Sequence, residues 1–217
     1  MPYVPTTPAP SAPALAPVGV FSAAPATLAI RPLDTELKLR RSELNVLDGH
    51  RATVSGTLLE DHRPGRPGRL VALQALGRHG WRTLVHAHTS TGGRFRVSYV
   101  ARSLGSQLVR LRFSGSDTDL GSHRRLGRLN VFRVALASWY GGGGGLACGG
   151  ELTSSTLGVA NKTLPCGTLI TLRYGGRTIR VPVVDRGPYV AGREFDLTEA
   201  TKSALGFDGV GDVWSTS

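Results

Sequence analysis

Residues 135–217 can carry out acid–base chemistry only with carboxylates. All six histidines of the chain precede this segment. Ser-His-Asp and Cys-His nucleophilic schemes, and histidine-bound catalytic metals, are therefore excluded within it. A carboxylic acid that is shielded from water can act as a general acid or base. The candidates are the seven acids of this segment: Glu151, Asp185, Glu194, Asp196, Glu199, Asp208 and Asp212.

Two of these acids stand next to predicted secondary structure. Asp185 follows the apolar strand 178–184, where a carboxyl group is partly shielded at the end of a sheet. The alternative is a turn aspartate that accepts hydrogen bonds from the Arg-Gly-Pro segment after it. Asp196 lies three residues before Glu199, which is capping-box spacing, and it would then begin a helix that ends at Gly206. Each aspartate thus has a structural and a catalytic interpretation.

The two cysteines, Cys148 and Cys166, also lie in this segment. A disulfide between them would contribute about 3 kcal/mol and would suit an oxidising compartment. Two buried free thiols are the alternative. A zinc site would need two more ligands. His86 and His88 share one face of a predicted strand, but no third ligand stands at a suggestive spacing. We expect no metal and no cofactor.

The composition predicts a mainly β protein. Glycine is abundant at 29 residues, proline counts 13, and aromatic residues make up 6%, which favours short strands joined by turns. Residues 1–26 read as a Pro/Ala-rich linker without a standard signal-peptide pattern. Residues 27–134 predict an immunoglobulin-like or transthyretin-like β-sandwich of about seven strands. Alternating runs mark five of these strands at 52–59, 70–76, 81–88, 94–100 and 108–113.

Residues 135–217 predict a second, smaller β domain. The strands 169–174 and 178–184 flank a Gly175-Gly176 hairpin, the helix 196–205 follows, and a last strand covers 211–214. No apolar stretch approaches 18 residues, so no membrane-spanning helix is predicted.

Four motifs of this second domain resemble the rare lipoprotein A-like double-psi β-barrel family in order and spacing. They are Ala137-Ser-Trp-Tyr-Gly141, Ala160-Asn-Lys-Thr-Leu-Pro165, Val183-Val-Asp-Arg-Gly-Pro188 and Phe195-Asp-Leu-Thr198. The resemblance implies a six-stranded barrel with a short helix that acts on peptidoglycan glycan strands, outside the cytoplasm or at the cell wall. Family members are septal or wall-associated lytic transglycosylases, and expansins and barwin-like proteins share the barrel.

The resemblance also implies site residues. Asp185 lines the glycan groove of the family, Asp196 matches the acid of related barrels, and Glu151 matches a glutamate near the barrel start. Asn161 stands where the family often has a histidine; its amide can hydrogen-bond a sugar, which makes it a substrate-binding candidate, but it cannot exchange a proton near neutral pH. Candidates for stacking on sugar rings or binding substrate carboxylates are Trp139, Tyr140, Tyr189, Arg186 and Arg193. A barrel that works outside the cytoplasm further predicts a disulfide between Cys148 and Cys166.

Three functions follow as hypotheses. The first is a lytic transglycosylase that cleaves the MurNAc-GlcNAc bond and forms 1,6-anhydroMurNAc by carboxylate acid–base catalysis. The second is a non-catalytic, expansin-like module that binds and loosens wall glycan. The third is a hydrolase that uses two carboxylates.

The positive charge is concentrated ahead of the barrel. Residues 1–134 carry 19 Lys+Arg and 8 Asp+Glu, whereas residues 135–217 carry 7 of each, so the net charge of +11 belongs to the front part. No helix-turn-helix pattern, zinc-finger spacing or RNP-like strand points to nucleic acid. The hypothesis for the front domain is therefore an anionic polymer of the cell wall.

Overall fold

Strands make up most of residues 31–217, which form one unit. The computed structural model describes residues 1–2 and 31–217, so the predicted linker lies almost wholly outside the described residues, as does the start of the predicted sandwich. The elements are, in chain order, β1 (Thr35–Glu43), β2 (Asn45–Leu47), β3 (Arg51–Glu60), β4 (Arg63–Pro64), β5 (Leu70–Gly77), β6 (Gly80–His88), a 3-10 turn (Thr91–Gly93), β7 (Arg94–Val100), β8 (Gly105–Phe113), β9 (Ser122–Tyr140), β10 (Gly144–Gly145), β11 (Glu151–Leu152), β12 (Val159–Ala160), β13 (Leu169–Tyr174), β14 (Arg177–Asp185), β15 (Phe195–Thr198), α1 (Glu199–Leu205) and β16 (Gly211–Ser215).

The front part consists of two sheet layers around one apolar cluster. Strands β1, β3, β4 and β7 form one layer, and β2, β5, β6, β8 and the first part of β9 form the other. Alternate residues of β3 are buried, as expected for a strand with one face on a core. The cluster includes Val54, Leu58, Leu73, Leu111 and Val131. All five runs predicted as strands in this region are strands, whereas the immunoglobulin-like or transthyretin-like topology stays a prediction.

The rear part is a closed six-stranded barrel, as predicted. Its strands follow the order β15-β12-β14-β13-β16-β9, and pairing of β15 with β9 closes the ring. Closure leaves no free edge among these strands. The interior is apolar and includes Ala137, Ile170, Leu172, Val183 and Leu197.

Strand β9 belongs to both parts. Its first section pairs with β8, and its second section pairs with β16 and β15. Phe132 is fully buried between the two sections, and its ring lies 5.8 Å from that of Trp214. The proposed boundary between residues 134 and 135 therefore falls inside a continuous strand.

The helix α1 begins later than predicted. Its N-cap is Thr198, whose side chain accepts a hydrogen bond from the Thr201 N–H, and Gly206 ends it with φ 67° as predicted. Asp196 lies in β15, where its backbone pairs with Ala160 of β12 and Ser138 of β9. The capping-box interpretation of Asp196 is therefore wrong, because these two ladders hold the residue in extended conformation. No helix in the described residues is long and apolar enough to cross a membrane.

A buried ion cluster fastens the turn after β3 to the loop before β9. Arg66 and Arg69 each bind both Glu60 and Asp119, with Arg66 Nε 2.8 Å from Glu60 Oε2 and Arg66 Nη2 2.7 Å from Asp119 Oδ1. Asp119 is 2% exposed. Burial raises the pKa of both carboxyls, but hydrogen bonds and the two guanidinium groups outweigh it and lower the pKa of Glu60 and of Asp119.

We predict that Asp119→Asn lowers the free energy of unfolding at pH 7 by about 2 kcal/mol, because it leaves two guanidinium groups short of an acceptor. A carboxyl whose pKa is lower in the folded state stabilises at neutral pH, and this contribution is lost as the pH falls below about 4. Urea unfolding should show a smaller loss of stability between pH 7 and pH 3 in the variant than in the parent. Asp117→Asn is the matched control, since Asp117 is exposed. Equal effects of both variants would contradict the prediction.

The disulfide predicted between Cys148 and Cys166 is present, with a Cα–Cα distance of 5.5 Å. It joins the loop after β10 to the loop before β13.

We predict that replacing both cysteines by alanine lowers the free energy of unfolding by about 3 kcal/mol, since the bridge constrains the unfolded chain. Denaturant unfolding under oxidising conditions measures the loss, and added reductant should then leave the double variant unchanged. A variant as stable as the parent would show that the bridge contributes nothing.

Candidate active site

Two aspartates lie at one end of the barrel, on the two strands that flank β12. Ala160 of β12 pairs with Asp185 of β14 on one side and with Asp196 of β15 on the other. Asp196 in turn pairs with Ser138 of β9. Adjacent strands are separated by about 4.8 Å, so the backbones of the two aspartates are about 10 Å apart. The topology thus brings together two of the three predicted catalytic carboxylates.

Asp196 is held in place from the β9 side. Its neighbours Phe195 and Leu197 are buried in the barrel core, so the side chain of Asp196 projects from the opposite face of the strand. The Ser138 hydroxyl donates a short hydrogen bond to Asp196 Oδ1, and Arg193 Nη1 donates to the Ser138 oxygen at 3.3 Å. Arg193, predicted to bind substrate carboxylates, is therefore linked to Asp196 through Ser138.

Asp185 combines the two interpretations given from the sequence. Its Oδ1 accepts hydrogen bonds from the backbone N–H of Arg186 at 2.8 Å and of Ala147 at 2.9 Å. The first is the expected turn contact, and the second holds the loop after β10 against the end of β14. Within the described residues, Oδ2 accepts no hydrogen bond. One oxygen of Asp185 is thus structural and the other is available for chemistry.

The phenol of Tyr140 lies near both aspartates. Its hydroxyl is buried and makes no hydrogen bond of good geometry to any described residue, although it lies close to Asp185. Burial raises the pKa of Tyr140 well above its ordinary value, and the charge of Asp185, a weak hydrogen-bonding contact with that carboxylate and the charge of Asp196 raise the pKa further. The phenol therefore keeps its proton across the neutral range. Sequence reasoning placed Tyr140 only among the stacking candidates, although the alternation that puts Ser138 and Tyr140 on one face of β9 could have linked it to Asp196.

The side chain of Asn161 is engaged in hydrogen bonds to backbone groups. The residue is 9% exposed. Its Oδ1 accepts hydrogen bonds from the N–H groups of Thr163 and Leu164, and its Nδ2 donates to the carbonyl of Glu194. These contacts shape the loop between β12 and β13 and tie it to the connection before β15.

Arg186 reinforces the same loop. Its Nη1 donates to the carbonyls of Asn161 at 3.0 Å and Leu164 at 2.9 Å, and Nη2 lies 3.1 Å from Cys166 Sγ. The predicted role of Arg186 in binding substrate carboxylates stays a prediction, since much of the guanidinium is already used by the protein.

The remaining predicted residues lie around this group or apart from it. Glu151 is exposed on β11, and its carboxylate makes no hydrogen bond within the described residues. Tyr189 is 82% exposed on the connection before β15. Trp139 projects from the other face of β9, where Lys202 Nζ lies 3.8 Å from its ring centre. Trp139 is thus not beside the aspartates.

Two further acids of the barrel have structural partners. Glu194 binds Arg133 through both oxygens, at 2.9 and 2.5 Å. Asp208 lies 3.0 Å from Lys202. Among the described residues, no group of three or more histidines, cysteines or acids is arranged to hold a metal ion.

Comparisons with known proteins identify relatives of the barrel segment. A family model described as lytic transglycolase matches residues 133–214. The probable endolytic peptidoglycan transglycosylase RlpA of Aquifex aeolicus is 44% identical over 81 residues, which are 34% of this chain and 36% of that protein. The endolytic peptidoglycan transglycosylase RlpA of Campylobacter jejuni is 39% identical over 75 residues, which are 32% of this chain and 27% of that protein.

Among solved structures, a Streptomyces papain inhibitor is 28% identical and covers 39% of this chain and 90% of its own, with a TM-score of 0.33. The chain spans about a third of the length of the curated relatives it matches. The match to the family model falls within the barrel. The segment 133–214 is thus a rare lipoprotein A-like double-psi β-barrel, similar to the lytic transglycolase family model.

Proposed function

We propose that the barrel is a peptidoglycan lytic transglycosylase that cleaves the MurNAc-GlcNAc bond and leaves a 1,6-anhydroMurNAc end. The observation that carries the proposal is the grouping of Asp185, Asp196 and the buried phenol of Tyr140 at one end of the barrel. The names of the relatives support the same substrate.

The reaction needs two successive proton transfers through one carboxyl group. A protonated aspartate gives its proton to the glycosidic oxygen, and the bond from that oxygen to C1 of MurNAc breaks. The resulting carboxylate takes the proton of the C6 hydroxyl, and O6 forms the new bond to C1. Because the nucleophile belongs to the substrate, orientation replaces a second protein nucleophile. Asp196 and Asp185 each have an oxygen free of hydrogen bonds among the described residues for this role.

Tyr140 supports the transition state as a neutral donor. Its raised pKa keeps the hydroxyl protonated beside two carboxyl groups. Such a hydroxyl can donate to the oxygen on which negative charge develops as the glycosidic bond breaks. The exposed ring of Tyr189 is positioned for stacking on a sugar, and Arg193 orients the hydroxyl of Ser138 toward Asp196.

The site of action in this proposal is the cell wall, outside the cytoplasm. The disulfide between Cys148 and Cys166 supports an oxidising compartment. The substrate is a polymer found in that compartment.

A second candidate function is an expansin-like module that binds glycan without cleaving it. The observation that favours it is Asn161, which replaces the histidine frequent in the family and has its side chain tied to three backbone groups. An amide in this position neither gives nor takes a proton. Product analysis separates the two candidates, because only the enzyme leaves anhydro ends.

We predict that Asp196→Asn and Asp185→Asn each reduce the release of anhydro-muropeptides by at least about 10²-fold, because each removes a group able to carry the proton. Chromatography of soluble products from purified peptidoglycan measures the release. Asp212→Asn is the matched control, since Asp212 is exposed on β16 of the same barrel. Thermal unfolding checks that all three variants are folded. Parent protein that binds glycan but releases no anhydro product would leave only the binding module.

We predict further that Tyr140→Phe reduces the same release by about 10²-fold, the usual loss when one donor to a developing charge is removed. The ring remains, and the hydroxyl makes no hydrogen bond of good geometry to a described residue, so stability should stay the same or rise slightly. A folded variant with full activity would show that the phenol has no part in the reaction. Tyr174→Phe is the control for a tyrosine elsewhere on the barrel.

A further inference from the structure

The outer face of the sheet formed by β1, β3 and β7 carries two rows of cation, hydroxyl and cation. In the first row Lys38 and Arg94 lie on either side of Thr57, and in the second Arg41 and Arg96 lie on either side of Ser55. All four cations are exposed, whereas Leu37 and Val97 on the other face are buried. The β-bulge between Leu39 and Arg41 adds the exposed Arg40 at the edge of this face.

We call this face the basic groove: its cavity is lined by Arg40, Arg41, Arg94, Arg96, Ser55 and Thr57, and Lys38 lies on the same face outside that lining. The cavity has a volume of about 640 Å³ and also includes His88 at its rim. The acids of β1 lie outside it, since Glu36 is opposite Leu59 and Glu43 is opposite Thr53, beyond the two rows. The groove thus concentrates positive charge without a carboxylate between the rows.

The cations of the basic groove have no protein partner. Within the described residues, none of the side chains of Lys38, Arg40, Arg41, Arg94 and Arg96 forms an ion pair or a hydrogen bond. The same front part pairs Arg66 and Arg69 fully with two buried acids. Concentrating like charges on one face of a sheet is unfavourable unless an anion offsets them.

We propose that the basic groove binds a flexible phosphodiester polymer of the polyol-phosphate type. The two rows are about 7 Å apart along the strands, close to the length of one extended glycerol-phosphate unit. Guanidinium groups bind phosphate in bidentate fashion, and the hydroxyls of Thr57 and Ser55 lie between them to donate to the same oxygens. This binding is independent of the reaction proposed for the barrel.

The basic groove is poorly suited to binding single-stranded nucleic acid. Proteins that bind it combine a positively charged groove with aromatic side chains on which bases stack. Phe95 lines the groove, but it is 4% exposed and cannot stack on a base. The chemistry therefore favours a phosphate polymer that has no bases.

The test is fluorescence anisotropy of the full chain with a labelled poly(glycerol phosphate), titrated between about 50 and about 200 mM salt. Replacing Arg94 and Arg96 by glutamine should weaken binding at low salt by about 10-fold or more and reduce the slope of log K against log salt by about two. Replacing Arg78 and Arg102 by glutamine is the control. It removes the same charge from two exposed loop positions of the front part and should change binding by less than about 2-fold.

Three results would overturn the proposal. Equal losses in both double variants would mean that the net charge of the front part attracts the polymer without a site. Tighter binding of an oligothymidylate of the same charge would assign the groove to nucleic acid. Failure of the folded parent to bind the polymer at low salt would exclude a phosphate site. Anhydro-product release is measured in parallel, and because the groove variants leave the barrel intact it should stay unchanged.

Discussion

The position of strand β9 in two ladders is the constraint on which the site depends. Its first section is fixed by the core of the front part through Val131, and its second by the barrel interior through Ala137. A slip of one residue would turn Ser138 and Tyr140 to the wrong face of the strand. Because residues of both sections are buried in separate cores, the register is fixed twice, and Asp196 meets the Ser138 hydroxyl as a result.

Backbone polar groups without a partner in a strand or helix hydrogen-bond to some side chains of the site and leave other side chains free for chemistry. The loop between β12 and β13 has little regular structure, so its N–H and carbonyl groups need partners. Asn161 and Arg186 supply them, and the disulfide closes the same loop against the strand end. Asn161 and Arg186, which both lie in the motifs shared with the family, thereby stabilise the loop. The acids that remain are those on regular strands, where ladder hydrogen bonds already satisfy the backbone.

Much of the fold could be predicted from the sequence, because its strands alternate clearly and its turns contain glycine. The helix end at Gly206 and the disulfide were also predictable. The early part of β9 was missed, since residues 122–128 carry several charges and lack apolar alternation. The start of α1 was wrong because two neighbouring strands override a local capping pattern at Asp196. Alternation along β9 places Ser138 and Tyr140 on one face, but the proximity of Tyr140 to both aspartates also depends on strand pairings across the ring that this local pattern does not encode.

The phenol of Tyr140 shows how stability and chemistry conflict at this site. A buried hydroxyl without a good hydrogen bond costs about 1–3 kcal/mol, and native proteins keep few such groups. The adjacent carboxylates could accept its proton in a hydrogen bond, yet Asp185 is turned toward the N–H groups of Ala147 and Arg186, and Asp196 toward Ser138. A substrate oxygen placed between the aspartates would satisfy the phenol. In the proposed reaction, a bound glycan would then recover energy that the fold alone does not, at the position proposed for cleavage of the glycosidic bond.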